Sequence, residues 1–205
     1  PQVRPLEAHV QRMFGPAAHL LVAVPQAPQA DLIGRDAQAR GALGAQAAAS
    51  VRALNPRAHI SFFGLYAHLN AAHLLGGPAD SVLAGEYESS FLDLIRALDL
   101  CDDPDAVPGV STISSRAAPL LSRLSFPVPD RSALPPLDRY ARYSDNGHSG
   151  LAGYVEASRG CKHRCRHCPV VPVYQGQFRV VPVDVVLADI RAQVDQGAGH
   201  ITFGD

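Results

Sequence analysis

Apolar positions recur in two alternating rhythms along most of this chain. Leu20 to Val24 is a continuous apolar run, which predicts a strand buried on both faces and ended by Pro25 and Pro28. Asp31 to Leu54 is rich in Ala, and Leu32, Leu43, Ala47, Val51 and Leu54 give a loose helical stripe that stops at Asn55-Pro56. Ile60 to Phe63 predicts a strand, Ala71 to Leu75 a helical turn and Val82 to Ala84 a further strand. Gly85-Glu86 then opens a helix through Leu98, with Phe91, Leu92, Ile95 and Leu98 on one face. Strands alternating with helices predict βαβ units and a parallel sheet, and hence an α/β fold.

The rhythm fails between residues 101 and 150. Pro104, Pro108, Pro119, Pro127, Pro129, Pro135 and Pro136 fall there. Proline fixes φ and removes a donor, so this stretch reads as a linker between domains 1–100 and 151–205. Tyr154 to Ala157 predicts a strand. Val183, Val186, Leu187, Ile190 and Val194 then follow helical spacing, with Pro182 at the start and Gly197 past the end. His200 to Phe203 predicts the next strand. Strand, loop, helix, strand is a first βα unit plus the second strand of a parallel barrel, whose chemistry belongs at the strand carboxyl ends.

Composition narrows the classes. Charged residues are 18% and hydrophobic ones 47% of 205, with a formal net charge of -1. That balance offers no electrostatic case for nucleic acid or a membrane as partner. No apolar run approaches transmembrane length. Four cysteines without a leading secretory segment favour a reducing cytoplasm. The chain starts at Pro1 without Met and stops at Asp205 directly after an apolar run, which reads as an internal fragment of a longer protein.

Chemistry concentrates between Tyr154 and Phe178. Cys161, Cys165 and Cys168 stand in a C-x3-C-x2-C spacing, among Arg159, Lys162, Arg164 and Arg166. Surrounding cations favour ligating thiolates, and three thiolates from one loop can hold a soft metal or an iron–sulfur cluster. Three ligands leave one iron of a four-iron cluster open. A structural zinc site with His163 or His167 as fourth ligand, in a binding module without catalysis, is the rival reading. Zinc modules favour a second ligand pair, however, and Cys101 stands alone as an inert thiol.

The loop resembles the cluster motif of the radical S-adenosylmethionine (radical SAM) enzymes, with His167 where that family usually has an aromatic ring. The resemblance implies a [4Fe-4S] cluster on Cys161, Cys165 and Cys168. S-adenosylmethionine would bind the open iron, and reductive cleavage would yield a 5′-deoxyadenosyl radical. It implies a partial barrel, a small-molecule or unknown substrate, and a reductant of flavodoxin or ferredoxin type. Gly204 and Asp205 fall where that family has a Gly-Gly-Glu-like contact to the S-adenosylmethionine amino group, although one glycine is missing and Asp replaces Glu. Tyr174 and Arg179 are further candidates to line the site.

The segments HISFFGLYAHLN and SVLAGEYESSFLDLI resemble the later part of a flavodoxin-like, cobalamin-binding-like domain that precedes the barrel in one bacterial branch of that family. Its ligand positions would be Gly64, Gly85 and Glu86, at strand carboxyl ends. The D-x-H-x-x-G motif of cobalamin ligation is missing from the sequence. The motif therefore lies in a preceding part, or cobalamin binds without a protein histidine, or none binds. His59, His68 and His73 read as ordinary solvated or hydrogen-bonded histidines, and Glu86 and Glu88 as first-turn carboxylates. The isolated 205 residues are expected to be inactive whatever the parent protein does.

Overall fold

The computed structural model describes residues 35–132, 134–140, 142–145 and 147–204. The strand expected at Leu20 to Val24, the segment before it and Asp205 lie outside these residues. The described chain divides into two compact units. One holds the residues up to Arg123 with His167–Val173, the other Leu124–Arg166 with Tyr174 onward.

In the first unit, helix α1 (Arg35–Leu54) leads to strand β1 (Ser61–Phe63), two short helices α2 (Leu65–Leu69) and α3 (Ala71–Leu75), strand β2 (Ser81–Leu83) and helix α4 (Tyr87–Leu100). β1 and β2 pair in parallel, Ser61 opposite Ser81 and Phe63 opposite Leu83. Successive strand residues alternate faces, and here both faces are covered. Phe62 and Val82 pack with Ala48, Val51, Ile60, Leu74 and Leu75. Leu83 packs on the opposite side with Leu94, Ala97, Val107 and Val110, joined by Phe63, Tyr87 and Phe91. The short apolar runs lack polar alternation because neither face of this sheet meets water.

Two expectations change here. The inward face of α4 is Ser90, Leu94 and Ala97, with Leu92 turned out and 53% exposed. Phe91 and Leu98 of the expected stripe pack half-buried against the same core, so the stripe is offset toward smaller residues and not reversed. Burial instead follows the i, i+4, i+7 row that meets β2, and admits the small Ser90 and Ala97. The stretch 101–150 also carries regular structure. β3 (Val110–Ser111) adds antiparallel to β2, Val82 opposite Ser111. It is held by a short 3-10 turn at Pro104–Ala106, where the Asp105 carboxylate accepts hydrogen bonds from Thr112 and Ser114. Two residues of strand leave no periodicity to read.

The second unit is built on β4 (Arg142–Asp145), β5 (His148–Glu156) and β8 (Ala198–Gly204), in the order β4-β5-β8. β4 and β5 form a hairpin, and β5 and β8 run parallel from Leu151 opposite Ala198 to Glu156 opposite Gly204. Between β5 and β8 in the chain come a small antiparallel ribbon, β6 (Ser158–Gly160) with β7 (Phe178–Val180), a one-turn helix α5 (Val171–Tyr174) of which only Tyr174 belongs to this unit, and helix α6 (Val183–Asp195).

The expected apolar stripe of α6 is largely outside, with Val183 70% exposed and Leu187 and Val194 also exposed. Its buried residues are Asp189 and Gln193. Both have specific polar partners. The Asp189 carboxylate accepts from Arg131 Nε at 2.6 Å and Nη2 at 2.8 Å. Gln193 Oε1 accepts from Tyr154 N at 2.8 Å, and its Nε2 donates to Tyr154 O at 3.0 Å. The amide of Gln193 thus pairs with the β5 main chain at Tyr154, beyond the residues that β4 pairs. Buried polar groups must be paired, and here the pairing sets which face of α6 points inward.

Candidate functional site

The cysteine loop runs from Cys161 to Gln177 and is closed at its base by the β6–β7 ribbon, in which Gly160 lies opposite Phe178. Gly160 has φ +72, and a Cβ there would stand 2.4 Å from Gln177 O and 2.7 Å from the Tyr174 ring. Only glycine lets the buried Tyr174 seat against the loop's entry. At the exit, Gln175 and Gly176 both take positive φ. Arg164 crosses the loop and donates from Nε to Gln175 O at 3.0 Å. Arg159 is anchored below, 2.8 Å from Glu156 Oε1 and stacked over Phe126 at 5.3 Å.

All four cysteines are free thiols. Cys165 is exposed, and Cys161 and Cys168 are half-buried. Among the described residues, no group of three or more His, Cys, Asp or Glu side chains is gathered as for a metal ion. What suits a cluster is the donor chemistry: three unpaired thiols from one glycine-hinged loop, flanked by cations. Lys162, His163, Arg164, Arg166 and His167 are all exposed. Arg179 is half-buried and donates from Nη2 to Gln177 Oε1 at 2.6 Å.

Gly204 closes β8 and is buried. A side chain there would collide with the Tyr154 phenol, so the glycine is explained by this ring alone. Asp205 lies outside the described residues.

In the first unit, Gly64 (φ +97) and Gly85 (φ +78) terminate the parallel strands β1 and β2 at their carboxyl ends. Gly85 is approached by the chain itself. It bridges to Leu120, whose carbonyl would lie 2.1 Å from an added Cβ and accepts from Glu86 N at 2.6 Å. Glu86 is the fully buried N-cap of α4, its side chain does not cap the helix, and of the two expected first-turn carboxylates it is Glu88 that lies in the first turn. His68 sits on α2 just past β1. Burial holds its imidazole below the ordinary value, and Nδ1 has no hydrogen-bond partner. His59 Nε2 lies 2.9 Å from Ser81 Oγ. Sequence reasoning missed Arg131, Asp189 and Gln193. The only signal was the spacing of Asp189 and Gln193, four apart and so on one face of the helix.

No family model matches the chain. It is 34% identical over 66 residues to the tRNA-2-methylthio-N(6)-dimethylallyladenosine synthase of Chlorobium phaeovibrioides, covering 32% of this chain and 14% of that protein. It is 24% identical over 131 residues to the ribosomal protein uS12 methylthiotransferase RimO of Desulforamulus reducens, covering 58% and 26%. Among solved structures it matches TsrM, a radical S-adenosylmethionine methyltransferase of Kitasatospora setae. The TM-score is 0.67 at 18% identity, over 97% of this chain and 39% of that one.

This chain resembles the radical S-adenosylmethionine superfamily. It spans about a seventh to a quarter of the curated relatives' length and about two fifths of TsrM. A second TsrM structure, with cobalamin and a [4Fe-4S] cluster bound, matches with a TM-score of 0.61 at 17% identity, over 97% of this chain and 40% of that one. The fold is mixed α/β with small parallel and antiparallel sheets, as expected at that level. No described helix is long and apolar enough to cross a membrane.

Proposed function

We propose that this chain is the cluster-bearing part of a radical S-adenosylmethionine enzyme, with Cys161, Cys165 and Cys168 holding a [4Fe-4S] cluster. The observation that carries the reading is the C-x3-C-x2-C set of free thiols on a ribbon-closed loop, in a chain similar in sequence to methylthiotransferases and in fold to TsrM. When bound, the cluster would deliver one electron to S-adenosylmethionine, which splits into methionine and a 5′-deoxyadenosyl radical. The protein's own contributions are local. Gly160 and Tyr174 hold the loop's base together, and Arg164 straps its entry to its exit. Gly204, at the end of β8 opposite Glu156, gives main chain near which the cofactor's amino acid portion would lie, with Asp205 next to it.

In this reading the first unit is a partial flavodoxin-like, cobalamin-binding-like domain, and β5–α6–β8 begins the partial barrel. Cobalamin, as bound in TsrM, would take the carboxyl ends of β1 and β2 around Gly64 and Glu86. The leaning of Leu120 on Gly85 narrows the room there. The substrate class stays that of a small molecule, a tRNA or a protein, matching the range of the relatives. The enzyme works in a reducing cytoplasm with a flavodoxin- or ferredoxin-type reductant.

The test is anaerobic reconstitution of the full-length parent protein with iron and sulfide, read by metal analysis and visible absorption. Wild type takes up about four irons and turns brown. Cys161→Ala, Cys165→Ala and Cys168→Ala each lose the colour. A colourless protein holding about one zinc on the same cysteines overturns the reading in favour of a structural site.

A further inference from the structure

Charge in this chain is sharply uneven. Residues 157–183 contain Arg159, Lys162, Arg164, Arg166 and Arg179 and no Asp or Glu, whereas the whole chain has 18 Lys and Arg against 19 Asp and Glu. All 19 carboxylates therefore lie outside the very stretch that bears the thiols. Ligating thiolates number three and can offset at most three of the five cations.

The structure separates these cations by duty. Arg159 is tied to Glu156 and Phe126, Arg164 to Gln175 O, and Arg179 to Gln177. Lys162 and Arg166 are exposed and make no hydrogen bond or ion pair among the described residues. They flank Cys161 and Cys165, and the run Lys162–Arg166 is exposed at every position. An unbroken exposed cationic rim is an electrostatic landing site, since complementary charge raises encounter rates far more than it raises affinity.

Resting on the function proposed above, we propose that Lys162 and Arg166 form the docking surface for the acidic one-electron donor protein that reduces the cluster. Two features favour a redox protein over a nucleic acid. The rim touches the thiol residues themselves, so a partner seated on it sits against the group it must reduce. It is also short and bears no Phe, Tyr or Trp, which suits a small transient electron-transfer contact; single-stranded nucleic acid is gripped by longer basic tracks with stacking aromatics. In the step itself the donor's flavin or iron–sulfur centre loses one electron and the cluster gains one, with no bond made or broken in either protein.

The experiment uses the full-length parent protein and a purified acidic flavodoxin. Binding is measured by surface plasmon resonance on the cluster-free protein. Reduction of the reconstituted cluster is followed by stopped-flow absorbance, with photoreduced deazaflavin as a small donor that needs no docking. Lys162→Glu and Arg166→Glu should each slow flavodoxin association and reduction about 3- to 10-fold at low ionic strength, converging with wild type near 0.5 M salt. Lys162→Gln and Arg166→Gln should show smaller losses in the same order. Deazaflavin reduction should fall less than flavodoxin reduction in every variant and show little salt dependence, because losing a cation beside the thiols acts on any donor whereas docking acts on the protein donor alone.

Equal flavodoxin rates in wild type and charge-reversed proteins would overturn the proposal. So would equal losses with deazaflavin in both the Glu and Gln variants, or tight salt-dependent binding of single-stranded RNA with flavodoxin rates untouched. A protein that takes up no iron fails at the absorbance step before flavodoxin is added, which separates failure of the functional reading from failure of the docking surface.

Discussion

Replacing Asp189 by Ala is expected to destabilise the second unit by about 2 kcal/mol. The carboxylate receives two near-parallel hydrogen bonds from Arg131, 58 positions earlier, and side-chain exposure is 5% for Asp189 and 22% for Arg131. Breaking a fully buried ion pair costs about 3–5 kcal/mol, and an exposed one contributes about 0–1. Arg131 keeps its bond to Tyr154 O at 3.0 Å and can turn part of its guanidinium to water. The loss therefore falls between those limits, about 2–3 kcal/mol, less roughly 0.5 gained from the better helix propensity of Ala. The Asp189 hydrogen bonds raise the Arg131 guanidinium above its ordinary value, so it stays charged in any assay buffer.

Urea unfolding of wild type, Asp189→Ala, Arg131→Met and the double variant, at low and high salt, reads the coupling directly. A coupling of about 1–3 kcal/mol that changes little with salt is expected, because a desolvated bidentate pair is poorly screened. Additive single variants, with coupling under about 0.5 kcal/mol, would refute the claim that this pair orients α6.

Other outcomes follow from the first unit. Cys101 is the left-handed cap of α4, with φ 59 and its N–H bonded to Leu98 O. Cys101→Gly should therefore raise stability by about 1 kcal/mol in thermal melts and leave iron uptake unchanged. Leu94→Ala should cost about 2–4 kcal/mol and Leu92→Ala under about 0.5 in the same melts, since only Leu94 is in the core. His68 is held below its ordinary value by burial, so its contribution is complete above the unfolded value and declines as pH falls below it. Urea midpoints taken from about pH 7.5 to 5 should show a decline that His68→Gln lessens. An identical slope in the variant would refute the assignment.

Regular elements with apolar cores were legible from the chain. β1, β2, α4 and α6 appear within one or two residues of their expected positions, and α1 ends where Asn55-Pro56 dictates. The helix faces were legible only in part, since Phe91 and Leu98 do pack against the core of the first unit. In α4 the row that meets β2 includes Ser90, and in α6 the inward row is Asp189 and Gln193, because partners from Arg131 and Tyr154 outweigh an apolar stripe. Long-range polar pairing leaves no periodic trace. The β6–β7 ribbon was hidden for another reason: three-residue strands around Arg159 and Arg179 have no room for alternation. A formal charge of -1 for the whole chain likewise averaged away the cationic stretch at the thiols. The cysteine spacing alone carried the chemistry, since ligand count and separation are properties of sequence.

In the proposed function, three cysteines hold a cluster with one iron left open to S-adenosylmethionine. Electron paramagnetic resonance of the reconstituted, dithionite-reduced parent protein, before and after adding S-adenosylmethionine, tests it most directly. A reduced-cluster signal is expected that changes shape with S-adenosylmethionine and disappears in Cys161→Ala, Cys165→Ala and Cys168→Ala. A signal indifferent to S-adenosylmethionine, or one that survives loss of any of the three thiols, would contradict it.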